Sequence, residues 1–327
     1  MSLLNILEKL KIDQEKIIKM KDQGISTVLG FLQHSDNDEL MNKATLTQQE
    51  VNLIRENLFA EHAKVPIRGT DLYKETMRLM KILPTACSNL DELLHGGLFT
   101  TEMLEVYGPP AVGKTQMCLQ VTSVAISAQQ ANVVYMDTTG SFTTTRLVEM
   151  IESNVKAHSP PVMKDMLSRV LHCRIFDAFG MTSQLECLKE KLESEVAEFC
   201  SHVKLLIVDS IASVITPILG GQQQHGHAIM SKIGLLLKQI AYEYGIAVLV
   251  VNNAVTDDFK NTRQAHRLKP SLGKSWLSVP HVRLFMDVGC QSEKEKIITI
   301  VKHHRMPTGV STAVHITSSG LRNAQKS

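Results

Sequence analysis

Several features are scarce in this 327-residue chain, and each scarcity excludes something. No run of 18 apolar residues occurs, so no segment reads as a membrane-spanning helix, and no membrane partner is expected. The first 30 residues hold no apolar stretch of the kind a secretory signal needs. Six cysteines (Cys87, Cys118, Cys173, Cys187, Cys200 and Cys290) form no C-x-x-C pair. Most lie inside apolar runs, as buried free thiols do, so a reducing intracellular compartment is expected. Composition does not separate cytosol from nucleus. Net charge is also scarce: 35 basic residues against 33 acidic leave +2, so any nucleic-acid surface must be local. Aromatic residues make up 5% of the chain, with one tryptophan, which leaves few candidates for base stacking. No internal repeat or low-complexity tract is visible. The remainder, 43% hydrophobic and 21% charged, is an ordinary globular composition able to bury a sizeable core. The length suggests about two domains.

Residues 1–61 are polar and helically periodic. Leu3, Ile6, Leu7 and Leu10 share one face, as do Val51, Ile54 and Leu58. Gly24 breaks the pattern, and Ser26-Thr27 offers an N-cap before Val28, Phe31 and Leu32. Thr47 to Glu50 reads as a capping box. A small all-helical domain of about four helices is expected, equally suited to touching DNA backbone or to docking a protein. Residues 62–81 contain Pro66 and Gly69 and read as a linker. Its apolar Val65, Ile67, Leu72 and Tyr73 are either docking residues for a neighbour or packed on their own domain.

From residue 82 to 327, apolar strand candidates at 103–107, 132–136, 170–176, 203–208 and 246–251 alternate with helical stretches such as 184–199. That alternation predicts an α/β domain with a mainly parallel sheet covered by helices. Three late strand candidates, 282–288, 296–301 and 310–316, are joined by short connections and are expected to form an antiparallel extension.

The residues Gly108, Pro109, Pro110, Ala111, Val112, Gly113, Lys114 and Thr115 fit G-x-x-x-x-G-K-[ST] in full, and Gln116 follows. A strand precedes the motif and a helix follows it, which is its confirming context. In such a loop the backbone N–H groups form an anion-binding nest at a helix N-terminus. Lys114 is expected on the β- and γ-phosphates of ATP, and the Thr115 hydroxyl on Mg²⁺. A second apolar run, Val203 to Val208, ends in Asp209. About a hundred residues after a P-loop, that carboxylate is the expected partner of Mg²⁺.

Four segments fall in order: Gly108–Gln116, the run Val134-Tyr-Met-Asp-Thr-Thr-Gly-Ser-Phe142 with Arg146-Leu147, Leu206-Ile-Val-Asp-Ser210, and Val250-Val-Asn-Asn253. This series resembles the RecA-type recombinase core, in its eukaryotic branch with an added N-terminal helical domain. Gly69-Thr-Asp-Leu-Tyr73, Leu219-Gly-Gly-Gln-Gln223 and Arg267-Leu-Lys-Pro-Ser-Leu-Gly-Lys-Ser-Trp276 resemble the D-type paralogue branch in particular. The likeness spans nearly the whole chain. It implies a nuclear ATP-binding subunit in homologous-recombination DNA repair, joined to sibling recombinase paralogues in a hetero-oligomer and acting on single-stranded or branched DNA.

Two departures bear on chemistry. Active members of this family read Asp-x-Glu after the second core strand, and that Glu activates the attacking water. Here the run is Asp137-Thr138-Thr139, so a hydroxyl stands at the general-base position. Removing a general base typically costs about 10²–10⁴ in rate. The γ-phosphate-sensing Gln is replaced by Asn253, one methylene shorter. The expectation is intact nucleotide binding with weak hydrolysis; the alternative is a self-assembling DNA-dependent ATPase with real turnover.

Two loops complete the reading. The first, 220–227, carries Gln222, Gln223, His225 and His227, and its glycines imply mobility. The second, 260–283, carries Lys260, Arg263, Arg267, Lys269, Lys274 and Arg283, with no acidic residue from Lys260 to Phe285. Uncompensated cations of this kind neutralise phosphates. The resemblance places both loops on DNA. Phe259 and Trp276 are the stacking candidates of the second loop, with Trp276 equally readable as core. No Cys or carboxylate joins His225/His227 or His303-His304 at metal-ligand spacing. Lys302 and Arg305 are either offered to a neighbouring subunit's site or are ordinary surface charge.

Overall fold

The structure is a computed structural model that describes residues 3–25, 27–33, 37–62, 66–154, 159–194, 198–220, 223–256, 268–289 and 292–324. The chain divides into two compact units, Met1–Tyr73 and Lys74–Ser327.

The first unit is helical: α1 (Leu3–Lys9), α2 (Gln14–Asp22), α3 (Val28–Gln33), α4 (Asn37–Ala44) and α5 (Gln48–His62). The periodic residues form its core. Ile6, Val51 and Ile54 are fully buried, with Leu3, Leu7 and Leu58 nearly so, and Leu10 packs at the edge. The capping box forms as expected, with the Thr47 N–H donating to Glu50 Oε2 (2.7 Å) and the Glu50 N–H to Thr47 Oγ1 (3.2 Å). Lys16 of α2 reaches the same Glu50 at 2.8 Å. Five described helices stand where about four were expected.

Residues Gly69–Leu79, read from sequence as linker, form a helix, α6, and the boundary between the units falls within it. Asp71 in its first turn and Arg78 in its last complement the macrodipole. None of its residues is buried.

The second unit opens with β1 (Ile82–Leu83), α7 (Ser88–Leu93) and β2 (Leu98–Phe99), the two strands pairing as a small antiparallel ribbon. The alternating core follows: β3 (Met103–Gly108), α8 (Lys114–Ser127), β4 (Asn132–Asp137), α9 (Thr144–Asn154), α10 (Pro160–Ser168), β5 (Val170–Arg174), α11 (Ala178–Ser194), α12 (Glu198–Ser201), β6 (Val203–Asp209), α13 (Ile211–Leu219), α14 (Gln223–Tyr244) and β7 (Ala247–Thr256). The chain ends with β8 (Leu268–Pro270), α15 (Gly273–Leu277), β9 (Val282–Val288), β10 (Glu295–Lys302), β11 (Ser311–Thr317) and β12 (Gly320–Asn323). The sheet order is β12-β11-β10-β9-β3-β7-β6-β4-β5, with β8 beside β7.

The strands from β9 to β5 run parallel, and β10, β11 and β12 continue antiparallel. The first of the three late strands is thus a correction: β9 pairs parallel with β3 and only its other edge is antiparallel. One apolar core lies on the sheet face that carries α7, α8 and α9, and another on the face that carries α11, α13, α14 and α15. Register sets the site. Gly108 stands opposite Asn253 and Asp137 opposite Asp209, so four parallel strands deliver these residues to the carboxyl edge of the sheet.

Inside this apolar framework one strand residue breaks the pattern. Glu105 on β3 is fully buried, and its register partner on β9 is Arg283, 3% exposed. Arg283 Nε donates to Glu105 Oε2, while Oε1 accepts from Trp276 Nε1 (2.8 Å) and from Asn252 Nδ2 (2.7 Å). Trp276 is therefore core rather than a stacking platform, and Arg283 is not one of the loop's uncompensated cations. Breaking a buried pair from one side leaves a charge uncompensated, so Glu105→Ala is expected to destabilise this unit by about 3–5 kcal/mol. Paired replacement of both residues by apolar side chains is expected to cost less. The emission of Trp276, the only tryptophan, followed through thermal unfolding of the full chain, measures both.

Candidate functional site

The loop between β3 and α8 is held by backbone geometry. Gly113 adopts φ +111°, a left-handed conformation that favours glycine, and a Cβ there would also displace the end of the Ile316 side chain, 2.1 Å away at Cδ1. Lys114 and Thr115 then occupy the first turn of α8, with backbone N–H groups that have no helical partner. Lys114 is 8% exposed, and its Nζ donates to the carbonyls of Gly108 and Pro109, both at 2.8 Å. Burial pushes its pKa down, and the Asp209 carboxylate pulls it back up.

Asp209 ends β6, followed by a cis peptide to Ser210. Its Oδ2 accepts from the Thr115 hydroxyl (2.7 Å) and from the Tyr135 hydroxyl (3.0 Å). Burial pushes this carboxyl up, and the two hydroxyls oppose that shift.

The end of β4 is organised by its own acid. Asp137, 2% exposed, accepts the backbone N–H groups of Thr139 (3.1 Å), Gly140 (2.8 Å) and Ser141 (3.3 Å) on Oδ1 and of Phe142 (3.3 Å) on Oδ2. His172 Nε2 approaches Oδ2 at 3.4 Å. Burial alone would raise this carboxyl; the amides and His172 outweigh it and hold the pKa below its ordinary value. Asp137 is therefore a structural anchor for the turn and not a substitute base. The Thr139 hydroxyl pairs with Ser141 Oγ at 2.7 Å.

These residues enclose a cleft of about 470 Å³, lined by Pro110, Ala111, Gly113, Lys114, Thr115, Gln116, Thr139, Ser141, Asp209, Ser210, Val251 and Asn253. That size suits a nucleotide-scale ligand. The donor set fits a polyphosphate and a divalent cation: helix N-terminal amides and an ammonium on one side, a hydroxyl and a buried carboxylate on the other. Gln116 is tied to Arg146 Nε (2.9 Å), whose guanidinium also bonds the carbonyls of Thr317 and Ser318 between β11 and β12.

The structure brings together Gly108–Gln116, Asp209, Thr139 and Asn253. Lys269 on β8 and Lys274 on α15 are exposed and lie outside the cleft lining. Gln223 opens the 22-residue helix α14, so 223–227 is helical rather than loop. Gly226 makes this fit, since a Cβ there would stand 2.2 Å from the Ile218 carbonyl oxygen. Gln222, Lys260, Arg263, Arg267 and Val65 lie outside the described residues. Ile67, Leu72 and Tyr73 are exposed, as is Met77 one turn beyond Tyr73. Lys302 donates to the Leu277 and Pro280 carbonyls, and Arg305 bonds Glu102 while lying 4.0 Å over the Phe99 ring. Both cations are thus engaged within their own chain.

Sequence reasoning gave no role to Tyr135, Ser141 or the Glu105 cluster. An acid inside an apolar strand was the available signal for Glu105; a buried strand tyrosine looks like any core residue.

Comparison with known proteins agrees with this architecture. Residues 75–324 match the Rad51 family. The chain is 34% identical over 313 residues to "DNA repair protein RAD51 homolog 4" of Bos taurus, covering 94% of this chain and 93% of that protein. The Mus musculus protein of the same name is 33% identical over the same span. "DNA repair and recombination protein RadB" of Halobacterium salinarum is 28% identical, covering 73% of this chain and 94% of that one. Among solved structures, "Crystal structure of the RadB recombinase" superposes with a TM-score of 0.61 at 25% identity, covering 75% of this chain and all of the other. The P-loop, the sheet and these relatives together mean that the chain belongs to the Rad51 family of RecA-like recombination-repair proteins, among its paralogues.

Proposed function

We propose that this chain is an ATP-binding subunit of a recombinase-paralogue complex in homologous-recombination repair. It assists recombinase assembly on single-stranded DNA, and ATP gates its subunit and DNA contacts instead of driving rapid turnover. The observation that carries the reading is asymmetry across the cleft. The phosphate and metal side is complete, while the water-activating side offers hydroxyls and an amide, its nearby acid Asp137 being taken up by the turn amides.

In this reading the backbone N–H groups at the start of α8 and the Lys114 ammonium bind the β- and γ-phosphates. Thr115 and Asp209 hold Mg²⁺, which when bound neutralises phosphate charge. Among the described residues the Thr139 hydroxyl pairs with Ser141 and Asp137, and none that lines the cleft beside it is a strong base placed to take a proton from an attacking water. Asn253 is presented beside the phosphates by β7, and its backbone connects to Ser271, where the chain returns through β8. The basic residues Lys260, Arg263, Arg267, Lys269 and Lys274 and the amides Gln222 and Gln223 are assigned to DNA. Sibling paralogues are the partners, and the nucleus is the site of action. Among the described residues no helix is long and apolar enough to cross a membrane.

Single-turnover hydrolysis with and without single-stranded DNA tests this. The chain is expected to bind ATP tightly with little turnover, and Thr139→Glu is expected to raise the rate by about 10²–10⁴. Robust wild-type turnover that is lost in Lys114→Ala supports the self-assembling ATPase instead. Replacing Ile67, Leu72 and Tyr73 by serine is expected to abolish co-purification with a sibling paralogue while leaving the melting temperature of the core unchanged; unaltered co-purification rejects these residues as the docking site.

A further inference from the structure

The Tyr135 side chain makes a hydrogen bond that packing does not require. It leaves β4 on the sheet face that carries α8, is fully buried, and lies against Phe142, with ring centroids 4.8 Å apart. Phe142 in turn stacks on His172 at 4.6 Å, so the ring is held from the side of the turn that Asp137 organises. Its hydroxyl then reaches across to the neighbouring strand β6 and donates to Asp209 Oδ2 at 3.0 Å. A phenylalanine would satisfy the same apolar contacts.

The chemistry at the other end gives that bond a purpose. Asp209 is 3% exposed, so its carboxylate depends on the donors that reach it. Oδ2 is shared by two donors, Tyr135 from below and Thr115 from the cleft wall. A hydroxyl that spends its proton on a carboxylate keeps both lone pairs for a cation. Thr115 therefore points usable lone pairs toward the cleft only while Asp209 stays where it can accept that proton. Metal sites depend on such outer partners, whose loss typically costs about 10–100-fold in metal affinity.

We infer that Tyr135 is a positioning residue for the divalent cation: it fixes Asp209, and through Asp209 the Thr115 hydroxyl, in the arrangement that binds Mg²⁺ with the nucleotide. The inference rests on the nucleotide-binding reading above and deepens it. Tyr135 touches neither phosphate nor metal; it acts by orientation. Sequence gives it no prominence, because a tyrosine inside a buried strand is indistinguishable from core until the register with β6 is known.

The test is equilibrium binding of a fluorescent ATP analogue to the full-length chain, titrated with MgCl₂ and repeated in EDTA. Tyr135→Phe is expected to raise the Mg²⁺ concentration needed for half-maximal tightening about tenfold, with affinity in EDTA within about twofold of wild type. In an Asp209→Asn background, adding Tyr135→Phe is expected to change nothing further, since the effect passes through Asp209. Superimposable Mg²⁺ curves for wild type and Tyr135→Phe overturn the inference, even if the variant melts at a lower temperature. Equal weakening with and without Mg²⁺ also overturns it, because that is the signature of a purely structural role. A wild-type chain that fails to bind the analogue in any condition overturns the nucleotide-binding reading itself, and the inference with it.

Discussion

The buried carboxylate of Glu105 is the constraint around which the second unit is built. It ties four parts of the chain: β3 that leads to the P-loop, β7 through Asn252, β9 through Arg283, and α15 through Trp276. Burying two charges in an apolar core is costly, and the pair offsets that cost only with its remaining hydrogen bonds made. Three donors meet the two carboxylate oxygens, and Asn252 passes the connection on by accepting from the Ser271 hydroxyl and the Asn253 N–H. A register step would also carry the carboxylate away from its three donors and leave it buried and unpaired. The level of Gly108 and Asn253 relative to each other is thereby set three residues away from the cleft.

A second polar arrangement sets the other half of the site. Asp137 and Asp209 are neighbours on adjacent strands, and their environments have diverged. Asp137 is surrounded by backbone donors and held in its ionised form. Asp209 relies on two hydroxyls against the penalty of burial. Their roles follow from those surroundings: one folds a turn, the other remains available to a cation. Thr139 is carried by the turn that Asp137 folds, so its place beside the cleft is fixed by that turn.

Much of this was legible in the sequence because it depends on local patterns. A G-x-x-x-x-G-K-T loop needs only its own residues and the strand and helix beside it. Asp209 needs an apolar run that ends in an acid about a hundred residues after that loop, and the Thr47–Glu50 box spans a single helical turn. The details that escaped depend on register between distant segments. Arg283 looked like a loop cation because nothing nearby in sequence shows that β9 places it opposite Glu105. Gln223 to His227 looked like loop because glycine is a poor helix former, whereas Gly226 is needed where α14 approaches the end of α13. Helix α6 was hidden because Pro66 and Gly69 at its start read as linker, although its apolar Leu72, Tyr73 and Met77 recur at helical spacing.

The substitution at residue 139 has an electrostatic side. A nucleoside triphosphate brings several negative charges into a cleft already containing Asp209, with Asp137 nearby at the same level of the sheet. A glutamate at 139 would add another negative charge, and each such charge opposes the anion while its hydrolysis remains pending. With threonine there, the field around the phosphates is governed by Lys114 and the helix N-terminus, opposed by fewer acids. On the proposed function, a threonine in place of an acid at 139 would both slow hydrolysis and spare the bound anion a repulsion, two results of one missing charge.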